Sequence, residues 1–269
     1  MSQTLSILGA GWLGLPLAIE MKQAGYCVHA SSRREETLDT LKAAGIHATH
    51  IQVDDSISGL QNKAFFESDT LIITLPFKRT FEDPSIYLDQ IKTVIRHWQQ
   101  FRPKHLLFCS STSIYNRTNA LVDEHTIITP NTERQRVLKE VEDFLNAEPN
   151  FECSIIRFAG LYGYDRQIKH FMTKSKQSAK KPVNLIHRDD AVGIMKALIV
   201  QNKWGELINA VSSEHPSRQD LYNYQAKQHG LTVPDFNNSD SAYKLVCNKK
   251  VKRLLQYQFK YDTPLGNYD

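Results

Sequence analysis

Three glycines, Gly9, Gly11 and Gly14, follow the apolar run 5–8 and precede Leu15, Leu17, Ala18 and Met21, which recur at helical spacing. The segment Gly9-Ala10-Gly11-Trp12-Leu13-Gly14 is therefore a G-x-G-x-x-G turn leading from a strand into a helix. In that setting one glycine makes a tight turn, the next lets backbone approach a pyrophosphate, and the third packs helix closely on strand. The N-terminus of the helix then faces the phosphates. The expected chemistry is dinucleotide binding, with Gly9, Gly11, Trp12, Leu13 and Gly14 at the ligand.

The end of the second apolar run decides which dinucleotide. An acid there would hydrogen-bond a ribose 2′-hydroxyl and repel a 2′-phosphate, but the chain reads Ala30-Ser31-Ser32-Arg33-Arg34 and has no acid until Glu35. A guanidinium grips a phosphate through paired, charge-assisted hydrogen bonds. Ser32, Arg33 and Arg34 therefore favour NADP over NAD, the alternative being that both arginines are solvated charges opening a helix. Asp54 and Asp55 follow the third run, where a side chain can reach the adenine edge or cap a local turn. Pro76, after the run 70–75, falls where the chain passes the nicotinamide half.

These residues need a frame. Apolar runs at 5–8, 26–30, 48–53, 70–75, 105–110, 153–157 and 206–210 alternate with longer amphipathic segments, the βαβα rhythm of a doubly wound parallel sheet of about seven strands. Helical stripes are carried by Ile86, Ile91, Val94, Ile95 and Trp98, by Val137, Leu138, Val141, Phe144 and Leu145, and by Val192, Met195, Ala197 and Leu198. Past Ser212 the strand rhythm stops, and helical patterns at 217–229 and about 248–255 form a small C-terminal cap. The division expected is a Rossmann core over 1–164, then 165–269, in which 184–212 returns to the core and the remainder caps the substrate side. Lys174, Lys176, Lys180 and Lys181 mark a surface loop over 172–182 that offers a positive field to an anionic substrate.

Composition bounds the rest. A chain of 269 residues with 41% hydrophobic and 23% charged residues is of ordinary globular type, which excludes collagen-like, coiled-coil and wholly disordered classes. A net charge of +4 is too small to announce nucleic acid or a membrane surface as partner. No apolar run reaches the roughly 18 residues of a membrane span, and the apolar N-terminus, broken by Gly9, Gly11, Gly14 and Pro16, reads as strand, turn and helix rather than a targeting segment. Cys27, Cys109, Cys153 and Cys247 form no C-x-x-C pair and read as reduced thiols of a cytoplasmic protein, with no metal site expected.

Three later stretches carry a resemblance. Phe108-Cys109-Ser110-Ser111-Thr112-Ser113-Ile114-Tyr115, Arg157-Phe158-Ala159-Gly160-Leu161-Tyr162-Gly163 and Asn184-Leu185-Ile186-His187-Arg188-Asp189-Asp190-Ala191 resemble, in order and spacing, the S-S-x-x-V-Y, R-x-x-x-x-Y-G and I-H-V-D-D-A segments of the extended short-chain dehydrogenase/reductases. The chain is similar to their NAD-dependent epimerase/dehydratase branch, and most similar to its atypical YeeZ-like group. The resemblance implies a nicotinamide dinucleotide, Ser111 as the residue that orients a substrate oxygen, and a Tyr-x-x-x-Lys pair as acid and base.

That pair is missing. Thr132 and Arg136 stand at its two positions, and a threonine hydroxyl is far too weak an acid to exchange a proton near neutral pH. Thr132-x-x-Gln135 is also a capping-box pattern, so Thr132 either acts in catalysis or simply starts a helix. Arg136 remains able to hold a ribose or phosphate. Tyr115, Tyr162 and Tyr164 are the phenols available to replace the lost acid. Two functions stay open: an NADP-dependent oxidoreductase or epimerase on a small or sugar-like substrate, and a non-catalytic NADP(H)-binding sensor or scaffold. A homodimer through the helices at 84–100 and 132–146 is expected by family analogy alone.

Overall fold

Leu71, Ile72 and Ile73 are consecutive and fully buried, so this strand is covered on both faces, as the middle of a parallel sheet requires. The computed structural model describes residues 3–54, 56–78, 80–172, 177–237 and 241–266. Its main sheet has seven strands: β1 (Thr4–Leu8), β2 (Cys27–Ser32), β3 (His47–His50), β4 (Thr70–Ile73), β5 (His105–Ser111), β6 (Glu152–Phe158) and β7 (Leu207–Ala210). Their order is β3-β2-β1-β4-β5-β6-β7, a doubly wound parallel sheet that reverses direction at β1. All seven apolar runs form strands, most of them with ends shifted by a residue or two; the third run divides into β3 and the short strand Gln52–Val53. β1 lies in parallel register with β2, Leu5 opposite Val28 and Leu8 opposite Ser31, and with β4, Leu5 opposite Thr70 and Leu8 opposite Ile73.

The helices follow their stripes: α1 (Gly14–Gln23), α2 (Glu35–Ala43), α3 (Ile86–Trp98), α4 (Glu133–Ala147), α5 (Arg188–Val200), α6 (Arg218–His229) and α7 (Lys249–Leu255). On α3, Ile91, Val94, Ile95 and Trp98 are all buried at the i, i+3, i+4, i+7 positions of one face. Each such aliphatic side chain contributes about 1.5–3 kcal/mol by leaving water. Asn62, ahead of a single helical turn at Lys63–Phe66, Thr132 and Ser217 cap helices through side-chain oxygens that each accept the backbone N–H three residues later. Among the described residues no helix is long and apolar enough to cross a membrane. The four cysteines are free thiols; burial pushes Cys109 far up and Cys153 up to about 12.

The chain forms two compact units, each built from discontinuous segments. The first comprises Met1–Ser110, Pro130–Ile156 and Met195–Leu207; the second comprises Ser111–Thr129, Arg157–Ile194 and Ile208–Asp269. In the second unit a small core gathers Tyr162, Ile168, Leu221 and Tyr222. Buried Asp190 fastens the C-terminal segment there, accepting from the Lys260 and Tyr261 N–H groups and from the Tyr257 hydroxyl. Beside it His187 packs on Tyr261, ring centroids 3.8 Å apart, and its Nδ1 accepts the Asp189 N–H at 3.2 Å.

Burial holds the His187 pKa down at about 4, with the neighbouring Arg188 and Lys260 charges acting in the same direction against Asp189. The folded state thus binds fewer protons at this site than the unfolded chain, whose histidine titrates near 6.5. Stability must therefore be retained above pH 6.5 and fall as the pH drops toward 4, by up to about 1.4 kcal/mol per pH unit for one such group. His29, His105 and His215 are lowered too, each chiefly by burial, and add to the slope. Urea unfolding followed from pH 7 to 4 is expected to show this loss, and His187→Gln to be less stable at pH 7 but to lose stability less steeply.

Candidate functional site

β1 delivers the chain into the glycine turn. Gly9 has φ +99°, which a residue with a Cβ rarely adopts, and its two polar groups are both tied: its N–H to Ser31 Oγ at 3.1 Å, its carbonyl to the Thr74 hydroxyl at 2.6 Å. Gly14 opens α1, and a Cβ on it would stand 2.4 Å from the Gly9 carbonyl oxygen and 2.8 Å from Thr74 Oγ1. Gly11 is different. Its φ is not positive, and a Cβ there would meet only the Gly9 carbonyl, at 3.9 Å. Protein packing thus accounts for the first and third glycines and leaves the middle one to a group arriving from outside. A pyrophosphate lying against bare backbone is such a group, and the residues here fit a dinucleotide. The start of α1, with Gly11 exposed and Trp12 half-buried ahead of Leu13, has no side-chain cap and no acid in its first turn, as a phosphate site at a helix N-terminus requires.

Ser32 ends β2 and its hydroxyl accepts the Arg34 N–H. Arg33 is 58% exposed, yet its Nη1 donates to Asp54 Oδ2 at 2.6 Å. Asp54 itself is buried: Gln52 Nε2 donates to the other oxygen at 2.7 Å, and Lys78 Nζ lies 3.8 Å away. The Gln52 hydrogen bond first, then Arg33 and Lys78, hold its carboxyl below the usual range against the cost of burial. Asp54 is thus a buried anchor for Arg33, and the adjoining Asp55 lies outside the described residues. Arg34 precedes α2 with extended backbone.

Thr74, Leu75 and Pro76 leave β4 beside this turn. The Leu75 carbonyl accepts the buried Tyr87 hydroxyl at 3.1 Å, and the Phe77 and Lys78 carbonyls accept Arg134 Nη2 and Nη1. Arg134 also stacks on Phe77, 3.8 Å from its centroid, and Phe77 stacks on Tyr87 at 4.5 Å. Sequence reasoning missed Thr74, Arg134 and Tyr87, because their partners lie 12 to 65 residues away. Thr132 caps α4, its hydroxyl accepting the Gln135 N–H. Arg136 is half-exposed and forms ion pairs with Glu133 and Glu140 on its own helix.

In the second unit, Ser111 Oγ accepts the Ser113 N–H at 3.1 Å and begins a single 3-10 turn, Thr112–Ile114. Tyr115 is almost fully buried: its hydroxyl donates to Asn209 Oδ1 at 2.9 Å and accepts from Arg157 Nη1 at 2.8 Å, and burial pushes its pKa up. Tyr162 is buried as well, whereas Tyr164 is half-exposed and donates to Asp189 Oδ1 at 2.8 Å. Lys244 Nζ donates to the Thr112 and Tyr115 carbonyls; burial, then Arg117 and Lys181, bring its pKa down to about 8. Lys181 is lowered by burial, Arg117 and Arg218. Four cationic side chains therefore influence one another here. Lys174 and Lys176 lie outside the described residues.

The contrast between two glycines is testable. Gly11→Ala is expected to leave stability within about 0.5 kcal/mol of the parent, as a substitution into open space does, while weakening dinucleotide affinity at least tenfold. Gly14→Ala should cost about 1–3 kcal/mol or more through the backbone clash. Thermal unfolding and a binding titration on the two variants separate the effects.

No family model matches the chain. It is 30% identical to Protein YeeZ of Escherichia coli (strain K12) over 266 residues, 97% of each chain. Among solved structures it is similar to UDP-glucuronic acid 4-epimerase from Bacillus cereus in complex with NAD, at TM-score 0.79 and 15% identity, covering 99% of this chain and 98% of that one. It is also similar to a functionally unknown conserved protein from Silicibacter pomeroyi DSS, at TM-score 0.75 and 22% identity, covering 98% and 96%. By that full-length identity the chain belongs to the YeeZ family, and its fold is that of the NAD-bound epimerase it resembles.

Proposed function

We propose that this protein binds NADP(H) in its first unit and acts as an oxidoreductase or epimerase on a small or sugar-like anionic substrate. The observation that carries the cofactor reading is the pairing of the vacant-sided Gly11 with an exposed Arg33 that buried Asp54 holds by one nitrogen. The nicotinamide, when bound, supplies a hydride donor or acceptor. The start of α1 receives the pyrophosphate, and Arg33, which Asp54 holds by one nitrogen, offers its remaining N–H groups to the 2′-phosphate. Thr74 to Pro76 border the nicotinamide half, with Tyr87 holding Leu75 and Arg134 holding the next two residues, Phe77 and Lys78. Ser111 keeps its own O–H to donate to a substrate oxygen, and the field of Arg117, Lys181, Arg218 and Lys244 supports an anionic substrate.

A second reading, a non-catalytic NADP(H)-binding sensor, is favoured by one specific observation. Both residues at the missing Tyr-x-x-x-Lys positions have structural work, Thr132 as a cap and Arg136 in helix-surface ion pairs. Tyr115, packed between Asn209 and Arg157, is likewise engaged.

Titration by intrinsic tryptophan fluorescence, with Trp12 inside the turn, is expected to show NADP binding at least tenfold tighter than NAD, with Arg33→Ala removing the preference; an unchanged ratio would refute the assignment. NADPH oxidation is then measured over a panel of sugar nucleotides, aldehydes and ketones. Turnover that Ser111→Ala lowers by a factor of at least 100 supports the enzyme. Tight binding without turnover, together with a different hydrodynamic radius for the NADP and NADPH forms, supports the sensor.

A further inference from the structure

At the end of the sheet away from the glycine turn, three side chains with metal-ligand chemistry meet. Cys27 opens β2, His29 follows two residues later on the same face, and His47 opens β3 directly opposite His29 in the parallel register. Val28 and Ala30 turn to the other face and are buried, while Cys27 and His29 are partly exposed and His47 is exposed. One ligand atom from each of the three, the thiol sulfur and two ring nitrogens, lies within 4.8 Å of the other two. The imidazoles are stacked, centroids 4.6 Å apart and 22° from parallel.

We propose that Cys27, His29 and His47 form a binding site for a divalent transition metal of the zinc or cobalt type, separate from the dinucleotide turn. The donor set selects the class. A thiolate with two imidazoles suits borderline-soft ions, whereas magnesium and calcium demand oxygen ligands. Metal–nitrogen and metal–sulfur bonds of about 2.0–2.3 Å put tetrahedral ligand atoms about 3.5 Å apart. The trio needs only side-chain rotation to close to that distance, because parallel pairing already holds the three Cα positions. Cys27 loses its thiol proton to solvent as the sulfur–metal bond forms, and the two histidines bind as neutral rings. Three protein ligands leave a fourth position for water. A strand length of five residues, about 16 Å, separates Cys27 from Ser32 at the nucleotide end. Bound metal would join β3, the edge strand of the sheet, to β2 and so resist fraying of that edge.

The test uses the full chain, freed of any affinity tag and reduced, titrated with cobalt(II) chloride under anaerobic conditions. One equivalent per chain is expected, with a thiolate-to-cobalt charge-transfer band and the intense visible bands of tetrahedral cobalt, both displaced by zinc sulfate. Cys27→Ser should abolish the charge-transfer band, and His47→Ala, a substitution at an exposed side chain, should weaken binding at least tenfold with unchanged circular dichroism. Cys247→Ser should alter neither. Zinc should protect Cys27 from iodoacetamide, read by peptide mass spectrometry, and should raise the Tm of the parent but not of Cys27→Ser. Absence of binding at micromolar cobalt, or binding that survives both Cys27→Ser and His47→Ala, would overturn the proposal.

Discussion

The Gly9 carbonyl, accepting from the Thr74 hydroxyl at 2.6 Å while α1 passes close over it, is the contact on which the first unit depends. It ties the turn after β1 to the end of β4, and the Ser31 hydroxyl ties the same residue's N–H to β2. The two bonds fasten the turn to both neighbours of β1 at the point where the strand order reverses. A turn held from both sides cannot drift with solvent. It can therefore keep a bare backbone surface at Gly11 without collapsing onto it, and such preorganisation reduces the ordering cost of binding.

The charge arrangement at the end of β2 follows a different logic. Arg33 is mostly in water and would gain little from a surface ion pair. Its partner, however, is buried, and Asp54 needs donors on both oxygens to stay ionised there. The constraint runs from the carboxylate to the guanidinium: the protein interior fixes Asp54, and Asp54 fixes the direction of Arg33. Lys78 adds positive charge from the loop after β4, so two separated segments meet at one acid.

Several of the family-like residues in the second unit make structural contacts. Tyr115 and Arg157, from two different family-like stretches, hydrogen-bond to each other in the interior. Asp190 fixes the C-terminal segment, and His187 is a neutral packed ring. The family-like stretches thus hold the fold of this unit through their own contacts. Ser111 differs, since it ends β5 and is not enclosed.

The sequence by itself determined the seven strands, most of the helices and the glycine turn, because each is signalled by local periodicity or by residues no more than five apart, while it left Thr132 open between a cap and a catalytic role that the fold resolved into a cap. Strand ends moved by a residue or two, since hydrogen-bond pairing rather than hydrophobicity sets them. Asp54 read locally as a residue for the adenine edge or a turn, and only the approach of Arg33, 21 residues earlier, made it an anchor. Thr74 and Arg134 were silent for the same reason. The cluster of Cys27, His29 and His47 was invisible too: the expectation of no metal site rested on cysteine spacing along the chain, whereas His47 reaches the other two only through the register of β3 on β2. Local pattern sets which elements form; register and packing, which join residues far apart in the chain, decide which side chains share a site.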